Sequence, residues 1–308
     1  MIYTFTLNPC IDKTYTVENL KEGGFTRAVS SRVDLSGKGV NVSLDLAVLG
    51  VKSVATGFMG DADLVRYKQH IESYGAHFAF VPIAGEVRVN CKIIDTVSGL
   101  QTDVNESGVG VTENDIKRLN ELAYGISNGD TAVISGSAPH GYTPRDLEAL
   151  ISYLRMHGVR VIVDTEKTGL KLAEKYGAFA IKPNYEEFCD FIGSRPTTVR
   201  EIAVAAVSKA ERIANVIVSL GGDGAVFASR TEAYYARVKG VRCRSTTGAG
   251  DALLSGFLYG ATSGKSYAES IKWALATASA KVECEGTKPP EIESVRKFMN
   301  NVTVTKIR

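Results

Sequence analysis

From residue 131 onward the chain repeats one unit: a short β-branched run, a loop of small polar residues, then apolar residues at helical spacing. The runs are 131–135, 159–164, 178–182 and 216–220, and the helical stretches between them include 145–157 and 199–213. Strands that alternate with helices in this way pair in parallel, because each helix carries the chain back over the sheet. The first part repeats the rhythm with a strand at 2–7, a helix at 40–49 closed by Gly50, and a strand at 53–58. The predicted fold class is therefore α/β: three layers, α/β/α, around a mostly parallel central sheet.

Between Val87 and Ile93 the pattern changes to strict alternation, with Val87, Val89, Cys91 and Ile93 on one side and Arg88, Asn90 and Lys92 on the other. Such a strand has one wet face. With 13–17 and 26–33 also reading as strands, these pieces predict a small separate sheet inserted at about 13–33 and 87–105 of a single domain spanning 1–308. It would serve as a lid or as a dimer surface.

Polar residues gather where strands hand over to loops: Ser135-Gly136-Ser137, Asp164, Lys182-Pro183-Asn184 and Ser219-Leu220-Gly221-Gly222. In open α/β sheets ligands bind at that edge. Any one of these clusters is also ordinary turn chemistry, and it is their coincidence that predicts a site. The sharpest segment is Ser245-Thr246-Thr247-Gly248-Ala249-Gly250-Asp251, which opens an apolar helix. Its small residues let the amides of Gly248, Ala249 and Gly250 approach a phosphate, and the helix dipole adds favourable potential. Asp251, in the first turn, is expected to be ionised near neutrality and able to take a proton from an attacking hydroxyl. A plain helix N-cap is the alternative for the same residues. Two commoner nucleotide motifs are excluded: Lys38 is followed by Gly39 instead of Ser or Thr, and Gly248-x-Gly250 and Gly222-x-Gly224 have Leu253 and Phe227 at the third glycine position.

Charge narrows the partners. Lys and Arg number 36 against 34 Asp and Glu, so no nucleic-acid or membrane surface is expected. Cys10, Cys91, Cys189, Cys243 and Cys284 are odd in number and show neither disulfide nor zinc spacing. Together with a first segment that lacks a basic leader, this predicts a cytoplasmic protein with reduced thiols.

Taken in order, five segments resemble the ribokinase-like, or phosphofructokinase-B, carbohydrate kinases. They are Gly37-Lys38-Gly39-Val40-Asn41, the loop from Ser135 to Gly141, Lys182-Pro183-Asn184 with Glu187, Ser219-Leu220-Gly221 with Gly224, and Thr246-Thr247-Gly248-Ala249-Gly250-Asp251. The opening Thr6-Leu7-Asn8-Pro9 with Asp12 is similar to the hexose-phosphate branch, and the stretches around Arg88 and Asp103 resemble its 1-phosphofructokinases more than its tagatose-6-phosphate kinases. The sequence departs from the pattern at Ser36, Ala138, His140 and Asp63, none of them a catalytic position.

The resemblance implies ATP-dependent phosphorylation of a sugar phosphate. Fructose 1-phosphate would be the first substrate and tagatose 6-phosphate its rival; a catalytically silent sugar-phosphate sensor is the alternative of another class. The failed dinucleotide fingerprint disfavours a nicotinamide oxidoreductase. By the same likeness Asp251 is the base, with Gly248, Ala249 and Gly250 at the γ-phosphate. Asp12, Gly37, Gly39, Asn41, Asn90 and Ser137 hold the sugar, and Arg88, with Arg27 and Lys38, its phosphate. Lys182, Asn184, Ser219, Gly221, Gly222 and Gly224 face the nucleotide. Asn184, Glu187 and Asp164 order water around Mg2+, a monovalent cation is left open, and the lid is expected to pair two copies into a homodimer.

Overall fold

The computed structural model describes residues 1–308. The chain begins β1 (Ile2–Thr6), β2 (Cys10–Val17), β3 (Ser30–Ser36), α1 (Lys38–Val48), β4 (Ser53–Gly60), α2 (Leu64–Ser73), β5 (His77–Ile83), β6 (Arg88–Asp95), β7 (Gln101–Asn105) and α3 (Glu113–Ala123). It continues β8 (Thr131–Ser135), α4 (Pro144–Met156), β9 (Arg160–Asp164), α5 (Lys167–Lys175), β10 (Ala180–Ile181), α6 (Tyr185–Ile192), α7 (Val199–Lys209) and β11 (Asn215–Ser219). The last part is β12 (Ala225–Ser229), β13 (Ala233–Val238), α8 (Ala249–Thr262), α9 (Tyr267–Val282), α10 (Ile292–Met299) and β14 (Val302–Lys306).

Ten strands form the main sheet in the order β14-β13-β12-β11-β10-β9-β8-β1-β4-β5. From β5 across to β11 every pairing is parallel; β12, β13 and β14 add an antiparallel edge. The chain starts in the middle at β1, builds outward through β4 and β5, and returns to the other side at β8. The crevice between β1 and β8 is the point where the winding reverses, and there loops diverge and leave room for ligands.

Alternation along each strand explains the layers. Ala132, Ile134, Val161, Val163, Val216 and Val218 point into one core, shared with α3 to α7. Their neighbours Val133 and Ile162 point the opposite way, against Val42 and Leu46 of α1 and Leu254 and Leu258 of α8. Period-two side chains thus split the burial between two faces, and both faces need a helix layer. Local signals place the helices: Thr143 and Asp146 form a capping box with Pro144 in the first turn of α4, and Ser266 with Glu269 does the same for α9.

β10 is shorter than the run 178–182 suggests. Phe179 and Lys182 still donate to Val161 and Val163 carbonyls, but Pro183 has no amide to continue the ladder. α7 ends at Lys209, several residues before the expected 213.

A second sheet of four strands, in the order β3-β2-β6-β7, stands apart from the first. β3 begins at Ser30, not near 26: before it only Val29 bonds to β2, donating to the Thr16 carbonyl at 2.8 Å. Register puts Cys10 opposite Arg88, Asp12 opposite Asn90 and Asn90 opposite Asn105, so these polar side chains share one face. The reverse face carries Ile11, Tyr15, Val33, Val89, Cys91, Ile93 and Val104, with Val33 44% and Val104 59% exposed. The polar face that alternation assigns to solvent therefore lines a cavity, and the apolar face is the uncovered one.

Candidate active site

Two cavities open at the C-terminal edge of the parallel strands and meet at Ser219 and Gly250. The larger, about 570 Å³, lies under the small sheet and is almost wholly polar. Asn8, Asp12, Gly37, Lys38, Asn41, Arg88, Asn90, Gly136, Ser137, Lys182, Asn184, Glu187, Thr247, Gly248 and Asp251 are among its walls. The second, about 480 Å³, runs between the 221–224 loop and α9 and is half apolar, with Val238, Val241, Leu253, Leu275, Ala278 and Val282 beside Gly221, Gly222, Gly224 and Ala249. A polar chamber suits a sugar phosphate, and a partly apolar slot suits a flat base.

The junction is the tip of α8. Gly248 adopts the left-handed conformation at φ 77° and no side chain caps the helix, so the positive end of its dipole faces the cavity. The Ala249 amide already donates to the Thr246 carbonyl at 3.2 Å, and Ala249 itself lies on the nucleotide side. A side chain at Gly250 would come within 3.0 Å of the Lys182 ammonium, which explains glycine there.

Asp251 is 4% exposed and accepts from Asn41 Nδ2 at 2.8 Å, a bond between α8 and α1. Burial pushes its carboxyl above the usual range, while Lys38, Asn41 and Lys182 oppose the rise. Proton affinity above that of an ordinary aspartate is what a base needs if it is to accept a hydroxyl proton.

Beneath it Asp164 binds two ammonium groups through one oxygen, Lys38 at 2.9 Å and Lys182 at 3.2 Å. Burial alone would raise this carboxyl, but the two lysines carry it below its ordinary value. Lys38 moves up, because Asp164 and Asp251 outweigh the burial that would lower it. The Lys38 ammonium is therefore held charged against a buried anion.

On the lid side Asn90 donates to Asp12 at 3.1 Å. Arg88 donates to the carbonyls of Glu106 and Asn8 at 3.2 and 3.4 Å and leaves its buried Nε without a partner. An unsatisfied guanidinium nitrogen in a polar cavity is a ready anion contact.

The structure brings most of the expected residues together and separates three. Arg27 lies exposed on the loop before β3, over the Phe25 ring, and lines neither of these two cavities. Gly39 does not touch the cavity either; a side chain there would collide with Thr6 and Phe5, so its smallness lets α1 dock on β1. Asp164 sits behind its lysines and is not in the wall.

Four residues were missed: Lys92, whose ammonium reaches Thr247 Oγ1 at 2.8 Å, together with Asn8, Asp103 and Asn105. The alternation Arg88, Asn90, Lys92 carried the signal for Lys92, since all three must share a face.

Asn184 and Glu187 cap α6 reciprocally: the Asn184 amide donates to Glu187 Oε2 at 2.8 Å and the Glu187 amide to Asn184 Oδ1 at 2.9 Å. No group of three or more His, Cys, Asp or Glu side chains forms a metal cage. Glu187, at the wall beside Asn184, fits a divalent ion held mainly by water and nucleotide phosphates.

Comparison with known proteins agrees with this geometry. The profile of the pfkB family carbohydrate kinases matches residues 6–294. The 1-phosphofructokinase of Vibrio cholerae is 30% identical over 99% of this chain and 97% of its own, and that of Bacillus subtilis is 30% identical over the full length of both. Among solved structures, phosphofructokinase-2 from Escherichia coli in complex with substrates and products superposes with a TM-score of 0.92 at 26% identity, covering 97% of this chain and 98% of that one. A possible 1-phosphofructokinase from Thermotoga maritima gives 0.87 at 28% identity over both whole chains. With a helix tip, a buried aspartate and a polar lid face arranged as described, and a family profile spanning nearly the whole sequence, the chain belongs to the pfkB family of carbohydrate kinases.

Proposed function

We propose that the chain transfers the γ-phosphoryl group of ATP to fructose 1-phosphate, giving fructose 1,6-bisphosphate and ADP. The observation that carries the reading is the place of Asp251, at the one edge where the polar and the half-apolar cavity meet. ATP occupies the half-apolar slot, with its phosphates directed toward Gly248 and Gly250. The sugar lies in the polar chamber with Asp12, Asn41 and Asn90 at its hydroxyls and Arg88 at its existing phosphate. Asp251 takes the proton of the free 6-hydroxyl as that oxygen attacks the γ-phosphorus. The bond to the β,γ-bridging oxygen breaks, and ADP leaves with those electrons. The α8 amides, Lys38 and Lys182 stabilise charge on the transferring group, so catalysis is mainly positioning and electrostatics.

Glu187 and Asn184 are the residues that would hold Mg2+, through water; the ion supplies charge neutralisation between the phosphates. The small sheet acts as a lid that excludes water from the transfer. Its bare reverse face pairs with a second copy, because an exposed apolar sheet surface of this kind calls for cover. The five free cysteines support a reducing, cytoplasmic setting.

The test is ADP release, coupled to an indicator enzyme, with fructose 1-phosphate, tagatose 6-phosphate, fructose 6-phosphate and fructose. The expected order puts fructose 1-phosphate first and unphosphorylated fructose far behind. Preference for the unphosphorylated sugar would overturn the assignment, and sugar-phosphate binding with no turnover would mark the chain as a sensor.

A further inference from the structure

A buried pair that the mechanism does not use lies directly beneath the α8 tip. Lys281, near the end of α9, is fully buried, and its ammonium donates to the Lys288 carbonyl at 2.7 Å. It also lies against the turn that opens α8: a side-chain carbon on Gly248 would sit 2.8 Å from Lys281 Cε and 3.4 Å from Nζ. Across from it Asp45 of α1 is 1% exposed, and neither of its carboxylate oxygens has a hydrogen-bond partner. Asn41, one turn earlier on the same helix, holds Asp251. Lys281 and Asp45 are thus buried charges close enough to act on one another without forming an ion pair.

Burying a cation this deeply is costly, and doing so without a close carboxylate is more so. A methionine of similar length would fill the same space. The charge itself therefore has a use, and the neighbour that can use it is the turn built from Thr246, Thr247 and Gly248. A fixed positive charge behind that turn adds to the helix dipole where the migrating phosphoryl group gathers negative charge. Burial lowers the Lys281 ammonium, with Asp45 and Asp251 opposing, and burial pushes Asp45 up to about 7 with Lys281 opposing, so each supports the charged state of the other.

We propose that Lys281 is a positioning residue: its ammonium is a resident cation that braces the Gly248 turn from behind and keeps it electropositive, so that the turn needs no bound monovalent ion. The inference rests on the kinase reading above for its turnover readout, and on the fold alone for its melting readout.

The experiment compares the parent with Lys281→Met and with the double variant Asp45→Asn/Lys281→Met, each in potassium chloride and in tetramethylammonium chloride at equal ionic strength. The parent should turn over at the same rate in both salts. Lys281→Met should lose roughly ten-fold or more in kcat in tetramethylammonium, with little change in KM for the sugar phosphate, and should recover in potassium. The double variant should melt like the parent yet remain slow, because it removes the unpaired charge without restoring the cation. Potassium should raise the melting temperature of Lys281→Met and leave that of the parent unchanged. A parent accelerated several-fold by potassium, or a double variant as fast as the parent, overturns the proposal. If the parent phosphorylates no sugar phosphate, the kinase reading fails by itself, and the melting comparison decides on Lys281: equal shifts in both proteins overturn it.

Discussion

At the scale of single residues the site is a balance of buried charges, and it makes sharp predictions. Asp251→Asn keeps the shape of the side chain but removes the proton acceptor, so kcat should fall by about 10² to 10⁴ with the fold intact by circular dichroism. The carboxylate is the active form. As pH drops through its pKa, kcat/KM must decline, and the limb should lie above the ordinary aspartate value of 3.8 because burial raises it. Lys38 opposes that rise, so Lys38→Met should move the limb to still higher pH, whereas ionisation of the sugar phosphate stays where it is. A limb that stays put in this variant would mean that another group titrates. Arg88→Ala should raise KM for fructose 1-phosphate by about ten- to a hundred-fold, the worth of a charge-assisted hydrogen bond, and leave KM for ATP unchanged.

At the scale of elements, α8 matters at both ends. Its tip faces the cavity where phosphate is proposed to bind, and its body lies unusually close to α9, since a side chain at Gly260 would come within 2.5 Å of Ser270 Cα and one at Gly256 would strike the Trp273 carbonyl. Gly260→Val should therefore cost about 1–3 kcal/mol, read as a lower urea midpoint at unchanged slope. The strands and helices that carry clear periodicity were legible in advance: β8 was expected with its observed bounds, and α1 and α4 within about two residues. β3 was expected at 26–33 and runs from Ser30 to Ser36: its polar residues give no apolar rhythm to fix the ends, and pairing with β2 sets them. The glycine-rich loop that opens α8 was legible as a helix tip facing a cavity, since its chemistry is local. Asp45 and Lys281 could not be foreseen as neighbours: nothing local joins α1 to the end of α9, and only the packing of both against α8 does.

At the scale of the whole molecule, the small sheet carries the proposed pairing of two copies. Its reverse face exposes Val33 and Val104 with Lys13 and Cys91 in register between them and Ile11, Tyr15, Val89 and Ile93, half covered, alongside. Sedimentation of the parent at micromolar concentration should give a dimer, and the double variant Val33→Lys/Val104→Lys should give a monomer with its melting transition preserved. A parent that sediments as a monomer would remove the lid-to-lid pairing. The bond from Asn41 to Asp251 spans 210 positions of the chain. A growing chain therefore cannot form this contact until residue 251 has been added and α8 has packed against α1, so the early helix folds first without the carboxylate it will later hold.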